Sequence, residues 1–205
     1  MAAPAATDKR RVILEAAVRV FARQGFHTCR VADIADEAGV AYGLVYHYFS
    51  SKEEILDTLF ADRWGLLLEA IGEADAAQES PRGKLGAIAG FIVDSYRYDP
   101  DLMKVIIVKV TRAANTFGRT HLSDIREAFE QITSIVARAQ AEGTFREEIT
   151  PDFAALAFYG LIEQVLSGWI FEPDGVQEGD LERAKGMIVD TICRGLERQV
   201  PAGAV

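Results

Sequence analysis

Tyr46, His47 and Tyr48 place three rings carrying hydrogen-bonding atoms within the six residues before Lys52. Hydroxyl and imidazole groups suit phosphate oxygens, and an ammonium adds charge against the same target. The chemistry on offer is recognition of a polyanion. Catalysis has weaker support. His47 and His121 are candidate bases, but no Ser or Cys stands in a nucleophile-elbow context, and neither a phosphate loop nor a metal-ligand spacing occurs. His27 with Cys29 would need two more metal ligands that the sequence does not place nearby. No cofactor, metal or catalytic residue is expected, and the chain is read as a binding protein rather than an enzyme.

Short elements must hold those rings. Val31, Ile34, Ala35 and Ala38 recur at helical spacing, and Gly39 offers the left-handed conformation that ends a helix without a side-chain penalty. Val40, Leu44, Val45 and Phe49 form a second apolar set. Two helices joined by a short glycine turn describe a helix-turn-helix, whose second helix enters the DNA major groove. The next helix opens with Ser50 or Ser51 as N-cap and Glu53 or Glu54 in its first turn, and it presents Lys52 and backbone N–H groups to a phosphate. Ahead of the motif, a first helix over about residues 8 to 24 carries Ile13, Ala16, Ala17, Val20 and Phe21 on one face and stops at Gly25. Lys9, Arg10 and Arg11 form a basic arm at its start.

The same residues resemble the TetR family of bacterial transcriptional regulators, over roughly residues 9 to 62. The resemblance lies in F-x-x-x-G-[FY] at Phe21 to Phe26, D-I-A-x-x-A-G-V at Asp33 to Val40, Y-x-Y-F at Tyr46 to Phe49 and K-E-E-[IL]-[LF] at Lys52 to Leu56. It implies a repressor that binds an inverted-repeat operator in double-stranded DNA as a homodimer. On that basis the DNA-binding residues are Thr28, Cys29, Arg30, Ala41, Tyr42, Gly43, Tyr46, His47, Tyr48 and Lys52. Two positions depart from the family's pattern. Cys29 stands where Ser or Thr usually caps the second helix, and Ala41-Tyr42 stands where Ser-Lys is common. Thr28 is then left to cap one residue earlier, Arg30 to supply the phosphate contact, and Tyr42 to read bases or stack against sugar.

Charge agrees with a division of labour. The chain has 205 residues and a net charge of −9. Up to Lys52, seven Lys and Arg stand against five Asp and Glu; beyond it, fifteen stand against twenty-six. Only the first part has a charge suited to approaching phosphate. The expected domains are a DNA-binding domain at 8–52 and a ligand-binding and dimerisation domain at 53–199. With two distant cysteines and no signal peptide, a reduced cytoplasmic chain is expected.

Helical patterns continue to the C-terminus, at about 52 to 77, 81 to 98, 101 to 114, 121 to 142, 152 to 171 and 179 to 198, and no alternating strand pattern competes. The fold class is all-α, about nine helices. Residues 153 to 171 are apolar nearly all round, but Glu163 and Gln164 at their centre and the acidic flanks argue against a membrane span. Such a helix is buried on every side. Ala157, Gly160, Gln164 and Gly168 are expected to face a second copy, joined by Ala184, Ile188 and Ile192 of the last helix, in a two-fold four-helix contact.

Phe91, Met103, Ile107, Val110 and Phe129, with Phe158, Leu161, Val165 and Trp169, could line an apolar cavity. Arg97, Lys104, Lys109, Arg112 and Arg119 interrupt an otherwise acidic body, and Arg112 is the expected partner of a ligand phosphate. A long apolar chain with a phosphate describes an acyl-coenzyme A. By helix layout and the Lys109 to Arg112 segment, the C-terminal half resembles the fatty-acid-responsive branch of the TetR family. Two other readings stay open: a TetR-type repressor sensing another hydrophobic small molecule, and a helical protein-interaction module that no longer binds DNA.

Overall fold

The computed structural model describes residues 6–111, 121–172 and 176–196, and among them the chain forms nine helices. They are α1 (Ala6–Gln24), α2 (Val31–Ala38), α3 (Tyr42–Tyr48), α4 (Lys52–Ala76), α5 (Pro81–Tyr98), α6 (Pro100–Thr111), α7 (Leu122–Ala141), α8 (Pro151–Phe171) and α9 (Glu178–Leu196). Two compact units result. One holds the chain up to Arg63 together with Asp99–Arg119; the other holds Trp64–Tyr98 and the chain from Thr120 onward.

In the first unit the apolar face of α1 does what its spacing predicts: Ile13, Ala16, Ala17, Val20 and Phe21 are all buried. Ile34 and Ala35 of α2, Val45 of α3, Ile55 of α4 and Val105 of α6 close over them. The turns that aim α2 and α3 are set by backbone chemistry. Gly25 (φ 80°) ends α1 and Gly39 (φ 62°) ends α2, both in the left-handed region that costs a residue with a Cβ about 1–2 kcal/mol. Past Gly39, the Val40 N–H returns to the Ala35 carbonyl at 3.0 Å, which caps the helix end and turns the chain into α3.

The second unit is built on the α5 stripe Leu85, Ile88, Ala89, Ile92 and Tyr96, all buried as expected. α5 packs on α7, α8 and α9, whose buried residues include Ile132 and Ile135, Phe158, Ile162 and Leu166, and Leu181, Ala184 and Ile188. Polar pins fix the arrangement. Arg97 at the end of α5 reaches Glu178 at 2.5 Å, and Lys185 of α9 holds Asp94 at 2.7 Å. The indole of Trp64 donates to the Asp124 carbonyl at 2.9 Å. Gln140, nearly buried, donates to the carbonyls of Arg146 and Ile149, which folds the α7–α8 turn onto itself. Thr150 caps α8 ahead of Pro151, whose missing N–H costs nothing there.

α8 is long and apolar enough by composition to cross a bilayer. Its Ala154, Ala155, Phe158, Ile162 and Leu166 are buried within the second unit. Gly160, Gln164 and Gly168 of the expected dimer face are exposed, and Ala157 is half-buried. Ala184 and Ile188 of α9, at 4% and 2% exposure, are nearly enclosed and border the groove between α8 and α9, while Ile192 is half-buried. An apolar stripe dictates burial without saying against what.

Candidate nucleic-acid interface

α3 has two faces with different work. Val45 and Phe49 are buried in the first unit, the head, whereas Ala41, Tyr42, Gly43, Tyr46 and His47 are exposed on the other side. The structure thus brings five of the ten predicted DNA-binding residues together on α3 and its N-cap. Tyr42 and Tyr46, one turn apart, pack edge to face with centroids 5.1 Å apart, and their hydroxyls are 3.2 Å apart. The Tyr42 hydroxyl raises the Tyr46 phenol above its ordinary range, so Tyr46 remains a donor at neutral pH. Tyr48 points otherwise: it is half-buried against the head core, with its ring beside His47.

The α1–α2 loop departs from the sequence reading at three residues. Thr28 does not cap α2; its hydroxyl donates to the Gln24 carbonyl at 2.7 Å, closing the end of α1. Arg30 is the N-cap residue of α2, and its N–H is taken by the Asp33 carboxylate at 2.7 Å. This half of a capping box explains how the helix starts without Ser or Thr. Cys29 is only 2% exposed and its thiol donates to the Phe26 carbonyl at 3.2 Å, so a direct DNA contact from that side chain is excluded by burial. Burial also pushes the thiol up from its ordinary pKa.

Lys52 is the largest surprise. Rather than pointing outward, its ammonium donates to the Phe26, His27 and Cys29 carbonyls at 2.7, 3.3 and 3.0 Å and lies over the Phe26 ring. A phosphate contact from Lys52 must compete with those acceptors. Behind it, Ser51 accepts from the Glu54 N–H, while Glu54 takes both the N–H and the hydroxyl of Ser50 at 2.6 Å. The basic arm is likewise spent in part, since Arg10 covers the Phe49 ring at 5.3 Å and Arg11 pairs with Glu15.

Sequence reasoning missed the staple between α1 and α2. Arg19 and Arg23 both reach Glu37, at 2.7 and 3.0 Å. Hydrogen bonds from Arg19, then Arg23, hold the Glu37 carboxyl below the usual carboxylate range; the Ser50 hydroxyl and N–H do the same for Glu54. A depressed carboxylate adds stability above its unfolded pKa, near 4.3 for Glu, and loses it as pH falls through the folded value. Glu37→Gln should therefore lower head stability slightly at neutral pH, with the gap to the parent closing below about pH 4. Urea titrations at several pH values measure it; a gap that persists into acid contradicts the ion-pair account.

The residues expected to line a ligand cavity divide between the units. Met103 and Ile107 are buried in the first. Phe91, Phe129, Phe158, Leu161, Val165 and Trp169 lie in the second. Among the latter, Phe158 is core at 1% exposure, and Phe129 meets Tyr159, which meets Trp64, in a chain of tilted rings. Leu161, Val165 and Trp169 instead line a groove of about 400 Å³ between α8 and α9, together with Arg183, Met187 and Thr191. Arg97 is committed to Glu178 and its neighbours. The side chain of Val110, and Arg112 altogether, lie outside the described residues.

Residues 13–59 match the family described as bacterial regulatory proteins, tetR family, and residues 81–192 match the tetracyclin repressor-like C-terminal domain. The chain is 26% identical over 188 residues to the fatty acid metabolism regulator protein of Bacillus subtilis, covering 91% of this chain and 95% of that one. It is 44% identical over 149 residues to the HTH-type transcriptional repressor KstR2 of Mycobacterium tuberculosis, covering 71% and 73%. Its fold is that of the regulator FadR from Bacillus subtilis, solved in complex with stearoyl-CoA, with a TM-score of 0.80 at 23% identity over 90% of this chain and 98% of that one. With both halves matched, the chain belongs to the TetR family of bacterial regulatory proteins.

Proposed function

We propose that this protein is a cytoplasmic, ligand-responsive transcriptional repressor that binds an inverted-repeat operator as a homodimer, and that it performs no catalysis. The observation that carries the DNA reading is the register of α3, which turns Tyr42, Gly43, Tyr46 and His47 outward while Val45 and Phe49 anchor it. Residues 8–52 act on DNA, and residues 53–199 serve dimerisation and effector binding. The exposed Gly160, Gln164 and Gly168 permit close approach of a second α8. The groove lined by Leu161, Val165 and Trp169 opens between α8 and α9. This supports assigning those three residues to the subunit contact instead of the effector.

The effector proposed is a long-chain acyl-coenzyme A. Its support is the near full-length similarity to a fatty acid metabolism regulator. Lys104, Lys109, Arg112 and Arg119 supply positive charge for its phosphates, Arg97 being engaged by acidic partners. An effector releases DNA only if it binds the DNA-free conformation better. In fluorescence anisotropy with the DNA upstream of its own gene, a long-chain acyl-coenzyme A at micromolar level should dissociate the complex with a coupling of about 1–3 kcal/mol, and free coenzyme A should not. The 44% identity to KstR2 favours a second reading, a ring-built hydrophobic effector, because a solved KstR2 is described as a ketosteroid transcriptional regulator. Release by a ketosteroid and by no member of an acyl-chain series selects that reading. Failure to bind any upstream DNA leaves a protein-interaction module.

A further inference from the structure

Lys52 is the first residue of α4, a position where the helix dipole favours anions; Glu53 and Glu54 beside it are the charges that suit the site. A lysine there requires another cause, and the loop between α1 and α2 supplies it. An ammonium has three donors and no acceptor. The carbonyls of Phe26, Cys29 and His27 converge on Nζ and use all three, with the Phe26 ring centroid 4.8 Å away. The Cys29 thiol donates to the same Phe26 carbonyl, which knits the loop beneath the ammonium. These carbonyls stand just ahead of α2, and Lys52 stands just after α3, so one side chain ties the entrance of the helix-turn-helix to its exit across 26 residues of chain.

We infer that Lys52 is a positioning residue that fastens the two ends of the helix-turn-helix and so sets the orientation of α3 from the start of α4. A displacement of the first turn of α4 would then pull on the approach to α2 and on the end of α3 together. This differs in kind from a phosphate contact, which would act only when DNA is present. It rests on the DNA-binding reading for one of its two readouts and is independent of it for the other.

Lys52→Met and Lys52→Arg separate the alternatives in the full-length protein. Met keeps the stem and removes the charge. Arg keeps the charge, but its planar fork cannot converge on three carbonyls around one point, although it serves a phosphate at least as well as Lys. In DNA-free protein, amide hydrogen exchange over residues 25–31 should quicken roughly tenfold in both variants. Both should bind operator roughly tenfold more weakly, with the salt dependence of the parent retained. The inference is overturned if Lys52→Arg matches the parent in exchange and affinity. It is equally overturned if Lys52→Met leaves exchange unchanged and lowers the salt slope by about one, the mark of a lost phosphate contact. Should the Met variant fail to fold, the Arg variant decides alone. A parent that binds no DNA defeats the DNA reading, while the exchange measurement still tests the fastening.

Discussion

Gly160→Arg should yield a subunit that folds as the parent does, sediments as a monomer and binds operator about 10²- to 10⁴-fold more weakly, since a dimer that engages two half-sites gains that much from linkage. The variant is harmless within one subunit. Gly160 is exposed on α8, and a Cβ built on it meets nothing within 4 Å. Arg is also a better helix former than Gly by close to 1 kcal/mol. Across a two-fold contact the same side chain is intolerable: each α8 would bring its cation to the strip of Gly160, Gln164 and Gly168 that lets two backbones approach, and the cation would meet its own copy. Sedimentation velocity with anisotropy on the same sample measures both effects. A variant that remains dimeric at micromolar concentration removes α8 from the interface.

Phe158→Ala tests a different boundary, between core and ligand wall. The side chain is 1% exposed, and Ala155 and Ile162 on the same helix are fully enclosed. Truncating a phenylalanine in such a place costs about 3–5 kcal/mol, a large part of the roughly 5–15 kcal/mol by which a typical domain is stable. The denaturation midpoint of the second unit should fall accordingly, with effector preference unchanged among whatever protein remains folded. If stability holds and the preferred chain length of the effector shifts instead, Phe158 faces a cavity.

Much of this fold could be read before the structure, because helices announce themselves locally. Gly25 and Gly39 stop α1 and α2 by their backbone freedom, Pro81 opens α5, and the Asp99-Pro100 step separates α5 from α6. The outward face of α3 was legible for the same reason, since one buried and one exposed side of a seven-residue helix follow from its apolar spacing. What could not be read is what each apolar face touches. Ala184 and Ile188 look like an interface stripe; they are nearly enclosed within their own chain and also border the groove between α8 and α9. Lys52 looks like an outward cation because charge type carries no direction, and its acceptors stand more than twenty residues upstream. The staple from Arg19 and Arg23 to Glu37 is hidden likewise, its partners being joined only when α2 folds back on α1.

The two tryptophans divide the labour of reporting on this molecule. Trp64 is 3% exposed, with its indole N–H bonded to the Asp124 carbonyl, so its emission belongs to the interior and follows the integrity of the second unit. Trp169 is half-buried beside the Tyr96 ring, at the edge of the groove between α8 and α9, where the arrival of another molecule changes its solvent. With only these two in the chain, substituting Trp169 with Phe leaves a reporter of unfolding, and substituting Trp64 with Phe leaves one that, below the unfolding transition, answers to occupancy of the groove. The protein thus contains its own spectroscopic means of telling loss of structure from a change of company, with no dye attached.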